Sequence, residues 1–72
     1  MPEFNVRLKE LRAEKGVTQK KLAEHLGIQP YSYQRLEYGI VRPGLNTAIA
    51  LADYFNVSLD YLVGRSDDRE RH

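Results

Sequence analysis

Residues 18–39 read TQKKLAEHLGIQPYSYQRLEYG, and apolar residues recur at helical spacing on both sides of Gly27. The residues expected to face inward are Leu22, Ala23 and Leu26 before that glycine and Ile28, Tyr33 and Leu36 after it. Spacings of three and four residues indicate two short amphipathic helices joined by an almost immediate turn. Two helices joined in this way form the unit that places a helix in the major groove of DNA. The stretch therefore predicts a helix-turn-helix.

Residues with known positional preferences mark the ends of both helices. Thr18 is a good N-cap for the first helix, and Gly27 is expected to end it in a left-handed conformation. Gln29 takes the N-cap position of the second helix. Pro30 takes its first helical position, where a fixed φ and a missing N–H do no harm. Gly39 is expected to end this helix.

A further helix is predicted before residue 17. Its apolar residues stand among charged ones and are Val6, Leu8 and Leu11. Gly16 is the expected C-terminal end of this helix. After the helix-turn-helix, Pro43 forbids a helix across the connection at residues 40–44. Tyr33 is expected in the core with its hydroxyl reaching the surface.

The strongest helical pattern lies at residues 45–57, LNTAIALADYFNV. Its expected inward residues are Leu45, Ala48, Ile49, Ala52 and Phe55. Ser58 is expected to cap a last short helix that ends at Gly64. Residues 66–72 contain no apolar anchor and are expected to form a flexible polar tail. The predicted fold is all-α, a compact five-helix orthogonal bundle over residues 1–65.

Length and composition restrict the class of protein. Seventy-two residues make one small domain, and an apolar content of 42% is enough for a folded core. The sequence contains no cysteine, which excludes disulfides and thiolate metal sites. No apolar run approaches the roughly 18 residues of a membrane span, and the amino terminus lacks the apolar core of a signal peptide. We therefore expect a cytoplasmic protein.

The sequence offers no catalytic or cofactor site. His25 has no nucleophile or second histidine near it, and His72 stands in the predicted tail, so a metal site is not expected. There is no glycine-rich phosphate loop and no Ser/His/Asp arrangement. We expect neither an enzyme nor a protein with a cofactor or a small-molecule ligand.

Charge is unevenly distributed, although the formal net charge is only +1. Residues 1–25 carry six basic and four acidic side chains, and residues 26–45 carry two basic and one acidic. Residues 46–72 carry three basic and five acidic side chains. This division lets one face of the protein meet phosphates while another faces solvent or a partner. Mixed surface charge also serves solubility alone, so the pattern by itself leaves both interpretations open.

Candidate DNA-binding residues occupy outward positions on the two central helices and in the following connection. They are Gln19, Lys20, Gln29, Pro30, Tyr31, Gln34, Arg35 and Arg42. An arginine fork pairs with guanine O6 and N7, which makes Arg35 the main candidate base reader, and a glutamine can pair with adenine. For Tyr31, stacking on a sugar, contact with a thymine methyl group and packing on its own helix all stay open.

Several short motifs together resemble the Cro/repressor helix-turn-helix family, also called the Xre family. They are Thr18-Gln19, Leu22-Ala23, Gly27, Leu36-Glu37-Tyr38-Gly39, Arg42-Pro43 and the run FNVSLDYLVG from Phe55 to Gly64. The resemblance covers roughly residues 5–65 and implies a five-helix domain that binds operator DNA, usually as a dimer, in bacterial and phage regulators. It further implies that Gln19 contacts phosphate or base, that Arg42 reaches the flanking backbone, and that Glu37 is structural.

The resulting hypothesis is a transcriptional regulator, a repressor, that reads the major groove of an operator with its third helix, about residues 30–38. Two alternatives stay open. One is an antitoxin or accessory regulator that also binds a partner protein, and the other is a helical interaction module that does not bind DNA. A homodimer is expected, because an operator with two half-sites needs two copies. Tyr54, Tyr61 and Val63 are expected to form its seam, or else to complete the small core.

Overall fold

The structure is a computed structural model that describes residues 2–71. Met1 and His72, and with them the expectation for His72, lie outside the described residues. Residues 2–71 form five α-helices and no strand. The helices are α1 (Pro2–Lys15), α2 (Gln19–Leu26), α3 (Pro30–Glu37), α4 (Leu45–Phe55) and α5 (Leu59–Leu62). The predicted all-α five-helix bundle is thereby confirmed.

The core draws on all five helices. Helix α1 packs against α3, α4 and α5, and α2 packs against α3 and α4. The largest fully buried side chains are Leu8, Leu22, Tyr33, Leu51 and Leu62, one from each helix. Because each helix supplies a central side chain, the position of α3 depends on the whole bundle and not on its neighbour α2 alone.

The predicted ends of α2, α3 and α5 are confirmed. Thr18 and Ser58 cap α2 and α5, and each hydroxyl oxygen accepts the backbone N–H three residues ahead at 3.0 Å. Gln29 and Pro30 take the expected first positions of α3, although the Gln29 side chain makes no capping bond. Helix α4 ends at Asn56 in a left-handed conformation, with φ 54°, which the sequence analysis did not predict.

The buried side of α4 differs from the prediction. Leu45 and Ile49, both expected in the core, are 68% and 41% exposed. Ala48 and Ala52 are buried as expected, and Leu51 is fully buried although it was not assigned to the core. The side of α4 that carries Leu51 is buried, whereas Leu45 and Ile49 lie on a side that is largely exposed. The expectation for these two residues was therefore wrong.

The buried side of α1 is shifted in the same way. Val6 is 51% exposed, so its expected inward position was wrong. Phe4 is buried in its place, and together with Leu8 and Leu11 it follows the four- and three-residue spacing of one helical face. Helix α1 accordingly begins at Pro2, before the first residue of the predicted pattern.

Two tyrosines are more deeply buried than expected. Tyr33 is fully buried, and its hydroxyl donates to the buried carboxylate of Glu37 instead of reaching the surface. Tyr61 is only 8% exposed, which places it in the core and contradicts its expected role in a dimer seam. Tyr54 and Val63 are half-buried.

Residues 66–71, expected to form a flexible tail, lie along the bundle in the structure. Ser58 donates its backbone N–H to the carbonyl of Arg69 at 2.9 Å. The guanidinium of Arg69 makes two hydrogen bonds of 2.8 Å to the carboxylate of Glu14 on α1. The tail thus contacts α1 and the N-cap of α5, and Arg71 pairs with Asp53 of α4. The division of the chain at residue 65 stays a prediction.

Candidate nucleic-acid interface

The turn between α2 and α3 is three residues long. Gly27 ends α2 with φ 71°, a backbone conformation that residues with a β-carbon rarely adopt. Ile28 donates its N–H to the carbonyl of Ala23 at 3.1 Å, and its side chain packs against the core. Helix α3 then begins at Pro30. The short turn holds α3 against α2, and the predicted helix-turn-helix geometry is confirmed.

One buried carboxylate fixes the end of α3. The side chain of Glu37 is fully buried, and its oxygens accept hydrogen bonds from Arg12 of α1, Gln19 of α2 and Tyr33 of α3. The distance from the Gln19 amide nitrogen to Glu37 is 3.1 Å. Arg12 also donates to the carbonyl of Val17 at 3.0 Å. We call Arg12, Gln19, Tyr33 and Glu37 the Glu37 cluster. Because three helices meet at one carboxylate, their relative placement depends on it.

Burial and hydrogen bonding act in opposite directions on the pKa of Glu37. Burial, the largest influence, raises that pKa, but the hydrogen bonds from the three partners outweigh it and leave the pKa below its ordinary value. The hydrogen bond to Glu37 raises the pKa of Arg12, and burial followed by the same carboxylate raises the pKa of Tyr33. At neutral pH the cluster is therefore an ion pair with a neutral tyrosine hydroxyl donating to it.

The N-cap and first two turns of α3 carry five of the predicted DNA-binding residues at the surface. Gln29, Pro30 and Tyr31 are exposed, and Gln34 and Arg35 are half-buried. Tyr31 is 70% exposed. The guanidinium carbon of Arg35 lies 5.9 Å from the centre of the Tyr31 ring. The structure thus brings polar donors and one aromatic ring together on the helix that projects from the turn.

The predicted phosphate-binding cations have no carboxylate partner within residues 2–71. Lys20 and Arg42 are exposed, and neither forms an ion pair with a described residue. Away from this face, by contrast, Arg69 and Arg71 are each paired with a carboxylate, on α1 and α4 respectively. A cation without a carboxylate partner can meet a phosphate without first breaking an ion pair, so Lys20 and Arg42 are available to a polyanion.

Gln19 is less free than the sequence analysis expected. It is half-buried at the start of α2, and its amide nitrogen donates to Glu37. Neither this bond nor the part played by Arg12 was predicted from the sequence, because Arg12 and Glu37 are 25 residues apart and no local pattern joins them. One signal was available. Glu37 stands four residues after Tyr33 and therefore on the inward face of α3, which indicates a buried charge in need of partners.

The other titratable residues of the described chain do not form a further site. His25 is exposed, as expected, with its ring centre 4.5 Å from that of Tyr54. Across residues 2–71, no group of three or more ligating side chains lies close enough together to hold a metal ion. None of the helices in this range has the length and apolarity that crossing a membrane requires.

Known proteins similar to this chain are regulators. A family model described as Helix-turn-helix matches residues 8–62. The chain is 38% identical over 60 residues to the SPbeta prophage-derived uncharacterized HTH-type transcriptional regulator YonR of Bacillus subtilis, covering 83% of this chain and 56% of the relative. It is 39% identical over 61 residues to the HTH-type transcriptional regulator ImmR of Bacillus subtilis, covering 85% and 48%. It is 30% identical over 64 residues to the cryptic phage CTXphi transcriptional repressor RstR of Vibrio cholerae, covering 89% and 58%.

The matched region contains the whole candidate interface. The chain spans about half the length of the curated relatives it matches. No solved structure matches it. Residues 8–62 include all of α2, α3, α4 and α5, together with the glycine turn and the Glu37 cluster. On this match the chain belongs to the Xre/Cro-type helix-turn-helix family.

Proposed function

We propose that this chain binds double-stranded operator DNA sequence-specifically and acts in the cytoplasm as a transcriptional repressor. Helix α3 enters the major groove, where Arg35 and its neighbours read base edges. The start of α2, Arg42 and the amino-terminal end of α4 hold phosphates. The proposed DNA contacts are Gln19, Lys20, Gln29, Pro30, Tyr31, Gln34, Arg35 and Arg42. Repression follows when the bound protein occupies a site that the polymerase needs, and the mechanism requires no cofactor.

The observation that carries this proposal is the free outer surface of a firmly held α3. The Glu37 cluster holds the end of the helix from within, while Tyr31, Gln34 and Arg35 remain at the surface. A helix already held in position loses little conformational freedom when it binds. The repressor assignment is supported by RstR, which is named a transcriptional repressor.

We further propose that the chain acts as a homodimer through the exposed apolar strip of α4. Leu45 and Ile49 lie on this strip, and Leu45 and the half-buried Val63 line a groove with Asp60 and Arg65 at its edge. In a two-fold symmetric interface every contact occurs twice: if one residue of the first copy contacts a second residue of the partner copy, the same two residues also meet with the copies exchanged. Asp60 of one copy can therefore face Arg65 of the other, which makes the groove self-complementary in charge.

Selection of bound sequences from a random duplex library, followed by titration of the enriched site at two salt concentrations, tests the proposal. A palindromic motif with half-sites one helical turn apart is expected, with an affinity that falls as salt rises. No enrichment, with only weak salt-sensitive binding, would reject sequence-specific reading. That result would favour a helical interaction module, or an antitoxin or accessory regulator that acts through a partner protein.

Three arginine variants separate base reading from phosphate contact. Arg35→Ala is expected to cost about 1–3 kcal/mol on the selected site and to relax the preference at one base pair. Arg42→Ala is expected to weaken binding to all sequences alike and to reduce the salt slope by about one. Arg71→Ala removes the same charge from the tail and is the matched control, with no expected effect. If Arg35→Ala behaved like Arg42→Ala, the assignment of the base reader would be wrong.

A charge placed in the apolar strip tests the homodimer. Leu45→Glu is expected to shift the protein to monomer in sedimentation equilibrium and to weaken binding to a two-half-site operator more than to a single half-site. Val6→Glu introduces the same charge at an exposed position of α1 and is the control. A dimer that survives Leu45→Glu unchanged would reject this strip as the interface.

A further inference from the structure

Two side chains one helical turn apart on α3, Tyr31 and Arg35, lie close together at the surface. The guanidinium carbon of Arg35 is 5.9 Å from the Tyr31 ring centre, within the range of about 6 Å in which a cation is attracted to an aromatic face. Tyr31 is 70% exposed, and Arg35 forms no ion pair with a described carboxylate. The aromatic ring therefore attracts a guanidinium that no described carboxylate holds.

This contact leaves the hydrogen-bonding edge of Arg35 free. A cation–π contact is an electrostatic attraction to the ring and pairs no N–H donor with an acceptor atom. The guanidinium is attracted to the Tyr31 ring, and its N–H groups stay available for guanine O6 and N7. Tyr31 thus acts on Arg35 without competing for its donors.

Tyr31 also has a surface of its own to offer DNA. It is the second residue of α3, and the amino-terminal residues of a recognition helix contact base edges. An exposed aromatic ring offers apolar contact, and the apolar group that a base presents in the major groove is the thymine methyl. A ring beside an arginine fork is therefore suited to a thymine next to the guanine.

We infer that Tyr31 and Arg35 act as one reading unit that selects a guanine with a neighbouring thymine, an inference that rests on the proposed function of α3. Arg35 supplies the hydrogen bonds to the guanine. Tyr31 positions the Arg35 fork and contacts the thymine methyl. The preference for guanine therefore depends on a residue that does not contact it.

Titration of the full chain against the selected duplex, its single-base variants and unrelated duplexes tests this unit. Tyr31→Ala is expected to lower the preference for the guanine about two- to fivefold, measured as the ratio of the affinities for the selected duplex and for its variants at that base pair. Tyr31→Phe keeps the ring and is the matched control, with the preference retained. In an Arg35→Ala background, Tyr31→Ala should change the preference at that base pair no further, because the coupling needs both residues. A thermal melt confirms that each variant is folded, as the exposure of Tyr31 leads us to expect.

Replacing the neighbouring thymine with deoxyuridine tests the methyl contact without changing the protein. Binding by the wild-type chain and by Tyr31→Phe is expected to weaken about three- to fourfold, and binding by Tyr31→Ala to stay the same. If the wild-type chain binds the deoxyuridine duplex as tightly as the thymine duplex, the inference is overturned. It is also overturned if Tyr31→Ala keeps the preference for guanine, or if this variant loses affinity equally for all duplexes. A selected site without an Arg35-dependent guanine also refutes the reading unit, whereas a wild-type chain that selects no site refutes the proposed function.

Discussion

The substitution Glu37→Gln removes one charge from the middle of the Glu37 cluster and almost no volume. In the native protein, the buried carboxylate accepts hydrogen bonds from Arg12, Gln19 and Tyr33. The glutamine amide keeps one acceptor oxygen, but its other terminal atom is an NH₂ donor. The cluster partners are donors too, so they cannot accept a hydrogen bond from this NH₂ group. The Arg12 guanidinium then loses its counter-charge in a site where only 20% of its side chain is exposed.

The structure gives an expected cost for this change. Breaking a buried ion pair by removing one partner costs about 3–5 kcal/mol. Because Arg12 keeps some contact with water and glutamine keeps the shape of the side chain, we expect about 3 kcal/mol, at the lower end of that range. A chain of this length has a total stability of roughly 4–11 kcal/mol, so the variant is expected to keep roughly 1–8 kcal/mol. In a domain of this size such a loss lowers Tm by about 12–24 °C.

Acid should reduce the difference between the native chain and Glu37→Gln. The pKa of Glu37 is lowered in the folded protein, so the folded state binds a proton less readily than the unfolded chain does. The stabilisation from this carboxylate is therefore complete above its unfolded pKa of about 4.3. It is lost as pH falls through that value towards the lower folded pKa. The difference in the free energy of unfolding should be constant near neutral pH and should narrow below about pH 5.

Urea denaturation followed by circular dichroism, at pH values from 7 to 3, measures both effects. Glu10→Gln removes an exposed carboxylate of α1 and is the control, with an expected effect within about 0.5 kcal/mol. The account of the cluster is refuted if Glu37→Gln is as stable as the control at pH 7. It is refuted equally if the stability difference is the same at pH 3 as at pH 7.

Four further substitutions test packing and backbone in the same assay. Leu51→Ala is expected to cost about 3–5 kcal/mol, whereas Leu45→Ala should stay within about 0.5 kcal/mol, and equal effects would contradict the buried face of α4. Gly27→Ala is expected to cost about 1–2 kcal/mol from backbone strain alone, because an added β-carbon meets no atom within 4 Å; a neutral result would argue against the left-handed turn. Gly44→Ser is expected to stabilise the fold by about 0.5 kcal/mol through a new α4 N-cap and a less flexible unfolded chain, and a loss of stability would contradict the N-cap assignment.

Helix ends could be predicted from the sequence because the interactions that mark them are local. The Thr18 and Ser58 hydroxyls bond three residues ahead, and the conformations of Gly27 and Pro30 follow from their own covalent structures. None of these depends on where another helix lies. The same local interactions are sufficient to place a helix, a turn and a second helix, and that is why the helix-turn-helix could be recognised from residues 18–39.

The core face of α4 could not be predicted in the same way because two of its strips are apolar. Leu45 and Ile49 lie on one strip of the helix, and Ala48, Leu51 and Ala52 lie on the next. Helical spacing alone fits both strips equally well. Which strip is buried depends on where α1, α2 and α5 pack, and that is a property of the tertiary structure.

The residues of the candidate DNA-binding surface were predicted more completely than the buried interactions that hold α3 in place. Tyr31, Arg35 and Arg42 were identified from their outward positions, and the structure exposes them in whole or in part. The contact that fixes Gln19 and the arginine behind it were missed, because both involve residues far apart in the sequence. Outward residues can be read from helical periodicity, but the groups that hold a helix in place belong to several helices at once.

Which basic side chains are held in ion pairs matters more for binding a polyanion than the net charge of the domain does. A net charge of +1 indicates little attraction to DNA, yet Lys20 and Arg42 form no ion pair with a described residue, and the ion pair that involves the helix-turn-helix, Arg12–Glu37, has a buried carboxylate. Carboxylates neutralise Arg69 and Arg71 of the tail, so the basic groups that lack such partners include Lys20 and Arg42 beside α3. The steepness with which DNA affinity falls with salt reflects the number of phosphates that a protein neutralises. That number is a property of the contacting surface. Carboxylates of α1 and α4 thus hold the tail arginines, whereas Lys20 and Arg42 beside the proposed reading helix have no such partner among the described residues.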